Sequence, residues 1–176
     1  MPDSYPNALK RMKGIERKME KDTVFGKRYE ERINHLLVND YARELIETHV
    51  TPNTWYLSHF GVDNPNKCKL RLVFNAAGKV NGLCLNDYLL TRPDLLSSLL
   101  GIMLRFRERK IAVTGDIKDM FLRVKVHAED QNAVRFLWRS SPTDRFKTYV
   151  MTSLIFGANC SPFVAQFIKN KNARRY

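Results

Sequence analysis

The sequence predicts an α+β fold, in which helices and strands are grouped separately along the chain. Apolar residues recur every three or four positions over 7–48, which is typical of helices. Apolar and polar residues alternate over 54–62 and 67–74, which indicates strands. The 176 residues are enough for one ordinary domain with a core of useful size.

The charge of the chain is its clearest departure from an average protein. The formal net charge is +12. Residues 1–50 carry 10 Lys and Arg against 9 Asp and Glu, whereas residues 51–176 carry 20 against 9. This asymmetry predicts a polyanion partner for the second part. Apolar runs stay well short of the roughly 18 residues of a membrane span, and the N-terminus does not resemble a signal peptide. We therefore expect an intracellular, cytoplasmic protein without a membrane partner.

The first segment, residues 1–50, is predicted to be helical. Its periodicity is interrupted near Asp22–Gly26, which indicates two helices, and the second is expected to continue to about residue 48. A DNA-reading helix pair is an alternative, but the nearly neutral charge argues against it, since phosphate neutralisation supplies most of such affinity. We interpret the segment as packing at the entry to the fold.

Cations alternate with apolar residues in the second strand of the predicted hairpin. Lys67, Lys69 and Arg71 fall on one side of this strand, and the leucines and Phe74 fall on the other. Three cations on one face of a strand can bind phosphates. They can equally be the solvated face of an edge strand, where Lys is common, and the pattern leaves both interpretations open.

The clearest helix in the sequence covers 91–110. Thr91 and Asp94 fit a capping pattern, Pro93 suits the first turn, and cations cluster near the end. Its apolar residues are numerous enough to predict burial of most of its circumference.

A short apolar run at 111–113 is predicted to be a buried strand that ends near Asp116. Asp119 and Phe121 follow. Two carboxylates beside a bulky ring could form a Mg²⁺ site, because Mg²⁺ prefers one or two carboxylates together with substrate phosphates. The alternative is that aspartate stands there because turns favour it.

The last third of the chain predicts two strands and a helix. The strands lie within 135–139 and 148–154, and Pro162 suits the first turn of the helix that follows. The odd count of three cysteines, without paired spacing, predicts reduced thiols. The four scattered histidines make a zinc site a weak hypothesis.

Taken together, these segments resemble the reverse transcriptase of BEL/Pao-type LTR retrotransposons. The similar blocks occur in family order over nearly the whole chain, and together they are more specific than any one of them. They cover residues 5–22, 54–67, 69–126, 135–139 and 149–173.

The resemblance implies a partial right-hand polymerase fold, with a fingers part and an antiparallel palm sheet that carries helices. Residues 1–50 would be an N-terminal helical segment, and residues 51–176 an incomplete reverse transcriptase domain. The fingers would comprise about 51–92 and 125–153, and the palm about 93–124 and 154–176.

The resemblance also implies roles for individual residues. Asp116 matches the first catalytic aspartate, a ligand of both Mg²⁺ ions in a two-metal mechanism. Arg71 matches the arginine that contacts the incoming triphosphate, and Lys69 is a second candidate for that contact. Phe121 matches the bulky residue that excludes a ribose 2′-hydroxyl. Phe156 and Gly157 match the loop that lines the nucleotide and template pocket.

The sequence departs from the family pattern at two points. Asn75 stands where an acid is common, which removes a charge that could orient Arg71. The Tyr-x-Asp-Asp hairpin of the family is expected beyond Tyr176, and Asp119 does not obviously replace it, because it lies on the same turn as Asp116.

We therefore expect a reverse transcriptase fragment that is inactive by itself. Its complete parent would use an RNA or DNA template with a primer, deoxynucleoside triphosphates and the remainder of the Pol polyprotein. The alternative is a catalytically dead, basic nucleic-acid-binding module from a decayed element. A metal-dependent nuclease is a third and more distant alternative, because the sequence has no second cluster of acids.

Overall fold

The structure of the chain is a computed structural model that describes residues 1–47, 49–64, 69–90 and 92–175, without the side chains of Asn64 and Lys69. Within these ranges the chain forms four α-helices and five strands. The helices are α1 (Tyr5–Lys21), α2 (Thr23–Val38), α3 (Leu99–Phe106) and α4 (Ser161–Ala173). The strands are β1 (Ala42–Glu44), β2 (Ser58–Asn64), β3 (Lys69–Asn75), β4 (Arg135–Trp138) and β5 (Lys147–Met151).

The predicted break between the first two helices is confirmed. Asp22 separates α1 from α2, and its carboxylate accepts a hydrogen bond of 2.9 Å from the backbone N–H of Phe25. This bond satisfies one of the unpaired donors at the start of α2. The predicted continuation of the second helix to about residue 48 is wrong. The backbone after Val38 turns and pairs as β1 with β5, so that Ala42 lies opposite Met151.

Two antiparallel sheets confirm the α+β class. The strands β2 and β3 form the predicted hairpin, and β5 pairs between β1 and β4 in a second sheet. The residues before β2 join the two sheets. The N–H of Leu57 donates to the carbonyl of Arg135 at 2.7 Å, and the N–H of Arg135 donates to the carbonyl of Trp55 at 3.1 Å. The predicted strands in the last third and the helix that begins near Pro162 are also confirmed.

The core lies where α1 and α2 pack on the two sheets. It is built mainly from large apolar and aromatic side chains, several of which have almost no exposed surface; examples are Tyr29, Ile33, Trp55, Phe136 and Met151. Burial of this apolar area supplies most of the driving force for folding. The predicted N-terminal segment is therefore an integral part of the core.

A buried histidine joins α2 to both sheets. The hydroxyl of Tyr29 lies 2.5 Å from His59 Nδ1, and His59 Nε2 lies 3.0 Å from the carbonyl oxygen of Leu137. A carbonyl can only accept, so Nε2 carries the hydrogen and Nδ1 accepts from Tyr29. Burial lowers the pKa of His59 to about 4 and raises the pKa of Tyr29. The histidine is therefore neutral at pH 7.

The stretch 92–118 differs from the prediction. The predicted helix over 91–110 is confirmed only as α3, because residues 92–98 are irregular and Thr91 lies outside the described residues. Asp94 accepts a hydrogen bond from the N–H of Leu96 instead of capping a helix. The helix has no buried residue, so the predicted burial of most of its circumference is also wrong. A turn at Asp94 competes locally with the helix.

None of the described helices is both long and apolar enough to cross a membrane. Cys84 and Cys160 are unpaired, as predicted, and Cys68 lies outside the described residues.

Candidate functional site

Asp116 lies on an irregular, exposed segment. The predicted buried strand before it is wrong, since residues 111–117 have no regular secondary structure, and Ile111 and Val113 are 82% and 88% exposed. An isolated apolar run forms a strand only when a neighbouring strand accepts its hydrogen bonds. The described residues supply no partner for this one. The carboxylate of Asp116 is therefore not held at a strand end.

The second acid of this stretch lies in a turn. Asp119 has a φ of +54°, and its carboxylate lies 3.8 Å from Nε2 of His35 on α2. Its backbone carbonyl accepts from the N–H of Arg123 at 3.1 Å. Aspartate tolerates this left-handed conformation better than most residues. Asp119 is therefore a turn residue, as one of the two interpretations of the sequence predicts.

The described residues do not fit a two-metal site. Among them no group of three or more His, Cys, Asp or Glu side chains could hold a metal ion. Asp116 offers one carboxylate, whereas a pair of catalytic ions is normally clamped by several oxygen ligands. No step of a reaction can therefore be derived through a metal from these residues alone.

Two of the predicted pocket residues meet in the structure. The rings of Phe121 and Phe156 pack edge to face with their centroids 5.0 Å apart. This geometry is favourable for aromatic pairs. Phe121 is half-buried, whereas 68% of Phe156 is exposed. The pair therefore presents aromatic surface to solvent.

Backbone hydrogen bonds bring these two rings together. The segment after Phe121 runs antiparallel to the end of β5, where the N–H of Leu154 donates to the carbonyl of Val124 at 2.9 Å. The N–H of Val126 donates to the carbonyl of Thr152 at the same distance. These bonds fix residues that are about thirty positions apart in the chain, and they decide that Phe121 faces Phe156.

Gly157 packs directly against β3. A Cβ atom at this position would overlap the carbonyl oxygen of Phe74, so only glycine allows the loop to approach the strand this closely. The sequence prediction placed Gly157 in a pocket-lining loop, and the structure adds that the loop contacts the strand that carries Arg71.

Asn86 holds the same loop and was not singled out by the sequence. Its side-chain amide donates to the carbonyl of Gly157 at 3.3 Å, and its side-chain oxygen accepts from the N–H of Asn159 at 3.0 Å. The side chain of Asn159 donates in turn to the carbonyl of Asn86 at 3.3 Å. An asparagine in a short polar run gives no sequence signal of such a role, because its partners lie about seventy residues away.

The predicted alternation of β3 is visible for its described side chains. Leu70 and Phe74 are buried and Arg71 is exposed. Arg71 lies opposite Val62 in the hairpin, and no described carboxylate forms an ion pair with it. The side chain of Lys69 and all of Lys67 lie outside the described residues. Arg71 is thus exposed, and its contact with a triphosphate stays a prediction.

Gly157 thus contacts the strand that carries Arg71, its chain neighbour Phe156 packs on Phe121, and Asp116 lies on an exposed, irregular segment. No protein-family model matches the chain, and no curated protein is found to be similar to it.

Proposed function

We propose that this chain is part of an RNA-directed DNA polymerase of the BEL/Pao retrotransposon type. The complete parent would transfer nucleotides from deoxynucleoside triphosphates to a primer 3′-end, directed by an RNA or DNA template, inside the cell and together with the rest of a Pol polyprotein. One observation supports this most: β3, the Phe121 segment and the Phe156–Gly157 loop converge, although they lie far apart in sequence.

The residue types that these three segments carry suit a nucleotide. A guanidinium such as that of Arg71 offers a planar fork of donors that matches phosphate oxygens. The exposed ring of Phe156 offers a stacking surface, and Phe121 beside it offers bulk against a sugar. In the complete enzyme Asp116 would be one ligand of the catalytic Mg²⁺ ions. Further carboxylates would have to come from outside the described residues.

The test is primer extension on poly(rA)/oligo(dT) in the presence of Mg²⁺. We expect no synthesis by residues 1–176 alone, because Asp116 belongs to no group of three or more possible metal ligands among the described residues. Template-dependent synthesis that Asp116→Ala abolishes would refute this inactivity and support the polymerase assignment.

The proposed roles of individual residues are tested in the complete polymerase. Asp116→Asn should abolish extension there. Phe121→Ala should preserve extension while raising the incorporation of ribonucleotides relative to deoxynucleotides. Full extension by the Asp116→Asn variant would refute the role of this aspartate, and unchanged sugar selectivity would refute that of Phe121.

A second candidate function is nucleic-acid binding without chemistry, as in a module kept from a decayed element. The exposed, unclustered position of Asp116 together with the net charge of +12 favours it. It predicts salt-sensitive binding to a primer–template that neither Mg²⁺ nor Asp116→Asn changes. Binding that is strengthened by Mg²⁺ only when Asp116 is intact would favour the polymerase.

A further inference from the structure

A groove of about 750 Å³ runs between α1 and the β2–β3 hairpin. Its walls come from one helical face on one side and from the hairpin and the loop after it on the other. The side chains that matter for its chemistry are Lys10, Arg11, Lys18, Phe60, Asn75 and Lys79. Of the described residues that line it, four are cations and none is acidic.

Three of the cations of α1, Lys10, Arg11 and Lys18, line the groove. Arg11, Gly14 and Lys18 follow one another at spacings of three and four, so they lie on one face of the helix. The acids of α1 lie elsewhere: Glu16 holds Arg139 in a bidentate ion pair with distances of 2.6 and 3.0 Å. The nearly neutral composition of residues 1–50 therefore does not reveal that the face of α1 toward the groove carries cations and no acid.

The cations that α1 contributes to the groove form no ion pairs within the described residues. The ammonium of Lys18 lies 3.9 Å from the ring centroid of Phe25. Asp87 is near Lys79, but its carboxylate accepts from the N–H of Cys84 at 2.8 Å.

The hairpin wall adds surface that suits nucleic acid bases. Phe60 is 42% exposed, and the amide side chain of Asn75 lines the same groove. Cations beside an exposed aromatic ring are typical of surfaces that bind single strands, where phosphates meet the charges and bases stack on the ring. The volume is that of a site for one drug-sized molecule, and it can take a short length of one strand.

We infer that this groove binds the backbone of a single-stranded polynucleotide, with α1 supplying the phosphate contacts and Phe60 a base-stacking surface. This deepens the proposed function and relies on it for the nature of the polyanion. Asp116 is not among the described residues that line the groove.

The test uses the 176-residue chain with fluorescein-labelled oligothymidylate and oligouridylate, followed by fluorescence anisotropy in EDTA over a range of salt concentrations. The variant is Arg11→Glu with Lys18→Glu. Its matched control is Lys13→Glu with Arg17→Glu, two exposed cations of the same helix that do not line the groove. Both pairs change the net charge equally.

The groove variant should lose affinity about tenfold or more at low salt. Its slope of log K against log salt should fall by about 1.4, since each lost phosphate contact on a single strand accounts for roughly 0.7. The control should bind nearly as the unchanged chain does. Equal losses in both pairs would mean diffuse attraction and would overturn the inference, as would no loss in either.

Gly14 allows a second test that leaves the fold intact. A Cβ at Gly14 would meet nothing within 4 Å, so Gly14→Glu places an acid in the lining of the groove without a clash, and Gly14→Gln is its neutral match. We expect the Glu variant alone to weaken binding, and equal binding by both variants would contradict the inference.

Competition experiments separate the remaining outcomes. Polyglutamate that competes as well as oligothymidylate at equal charge would identify an acidic peptide as the ligand, and equal binding of a blunt duplex would exclude the preference for a single strand. Either result overturns the inference. Binding in EDTA and primer extension by the complete polymerase are separate measurements, so failure of the groove and failure of the polymerase assignment are distinguishable.

Discussion

Phe136 and Phe106 are both phenylalanines, but Phe136 is buried and Phe106 is about half exposed. Phe136 lies on β4 with no exposed surface and packs against Phe74 and Tyr149, with ring centroids 5.2 and 5.4 Å apart. Phe106 ends α3 and is 49% exposed. Both lie in segments whose apolar content predicts burial. The difference teaches that an apolar pattern determines which side of an element avoids water, whereas burial also needs a partner surface.

The largest expected effect separates these two phenylalanines directly. Phe136→Ala should lower the free energy of unfolding by about 3–5 kcal/mol, because it leaves a cavity among fixed aromatic rings. Phe106→Ala should change it by less than about 0.5 kcal/mol. Urea denaturation followed by circular dichroism measures both. Similar losses in the two variants would show that α3 is covered in solution and would remove the contrast.

Lowering the pH should lower the free energy of unfolding through protonation of the buried His59. Its pKa is about 4 in the folded chain and about 6.5 when exposed, so the unfolded state binds more protons between these values. The free energy of unfolding has its full value above pH 6.5, where His59 is neutral in both states. It decreases by about 3 kcal/mol as the pH falls toward 4, because the unfolded state gains the proton first.

Urea denaturation at a series of pH values measures this loss. The His59→Gln variant should lack this part of the pH dependence, whereas the exposed His127→Gln should retain it. An unchanged slope in His59→Gln would assign the acid sensitivity to other groups.

Gly157→Ala should destabilise the chain by about 1–3 kcal/mol, because the added methyl group overlaps the carbonyl of Phe74 and the backbone must shift. The matched substitution Gly14→Ala enters open space within a helix and should stabilise by up to about 1 kcal/mol. Thermal unfolding of the two variants compares them, and equal melting temperatures would contradict the tight contact of this loop with β3.

The smallest expected effect concerns the exposed stretch. Leu100→Ser and Ile111→Ser should each change the free energy of unfolding by less than about 0.5 kcal/mol, since both side chains are largely exposed. They should raise the protein concentration at which the chain stays monodisperse, because exposed apolar patches promote association. Light scattering measures this, and a loss of stability above 1 kcal/mol would show that these residues are buried.

The sequence predicted the elements whose signals are local. Periodicity and the residue types near Asp22 were sufficient for the first two helices and their break, and alternation was sufficient for the hairpin. Pro162 correctly marked the start of α4. The wrong predictions at 39–47, 92–98 and 111–113 share one cause. In each case the local pattern was compatible with a regular element, and contacts distant in sequence, or their absence, decided the outcome.

The site residues divide in the same way. Arg71, Phe121, Phe156 and Gly157 could be selected from the sequence by their resemblance to a family, and their roles remain predictions. The sequence could not select Asn86, whose partners are distant.

The sequence also carries no signal that Arg135 is buried in the core. The guanidinium of Arg135 is satisfied by neutral acceptors such as Asn132 Oδ1 and the carbonyl of His49, both at 2.7 Å.

By itself the sequence determined the basic charge, the α+β class and the types of residue available for phosphates, because these depend on composition and local spacing. Only the tertiary structure decided that the aromatic pair meets, that Gly157 contacts β3 and that Asp116 lies on an exposed segment. It also decided that Lys10, Arg11 and Lys18 of α1 line a groove while Glu16 binds Arg139. The physical reason is that composition sums charges over the chain, whereas a ligand meets only those that folding brings to one surface.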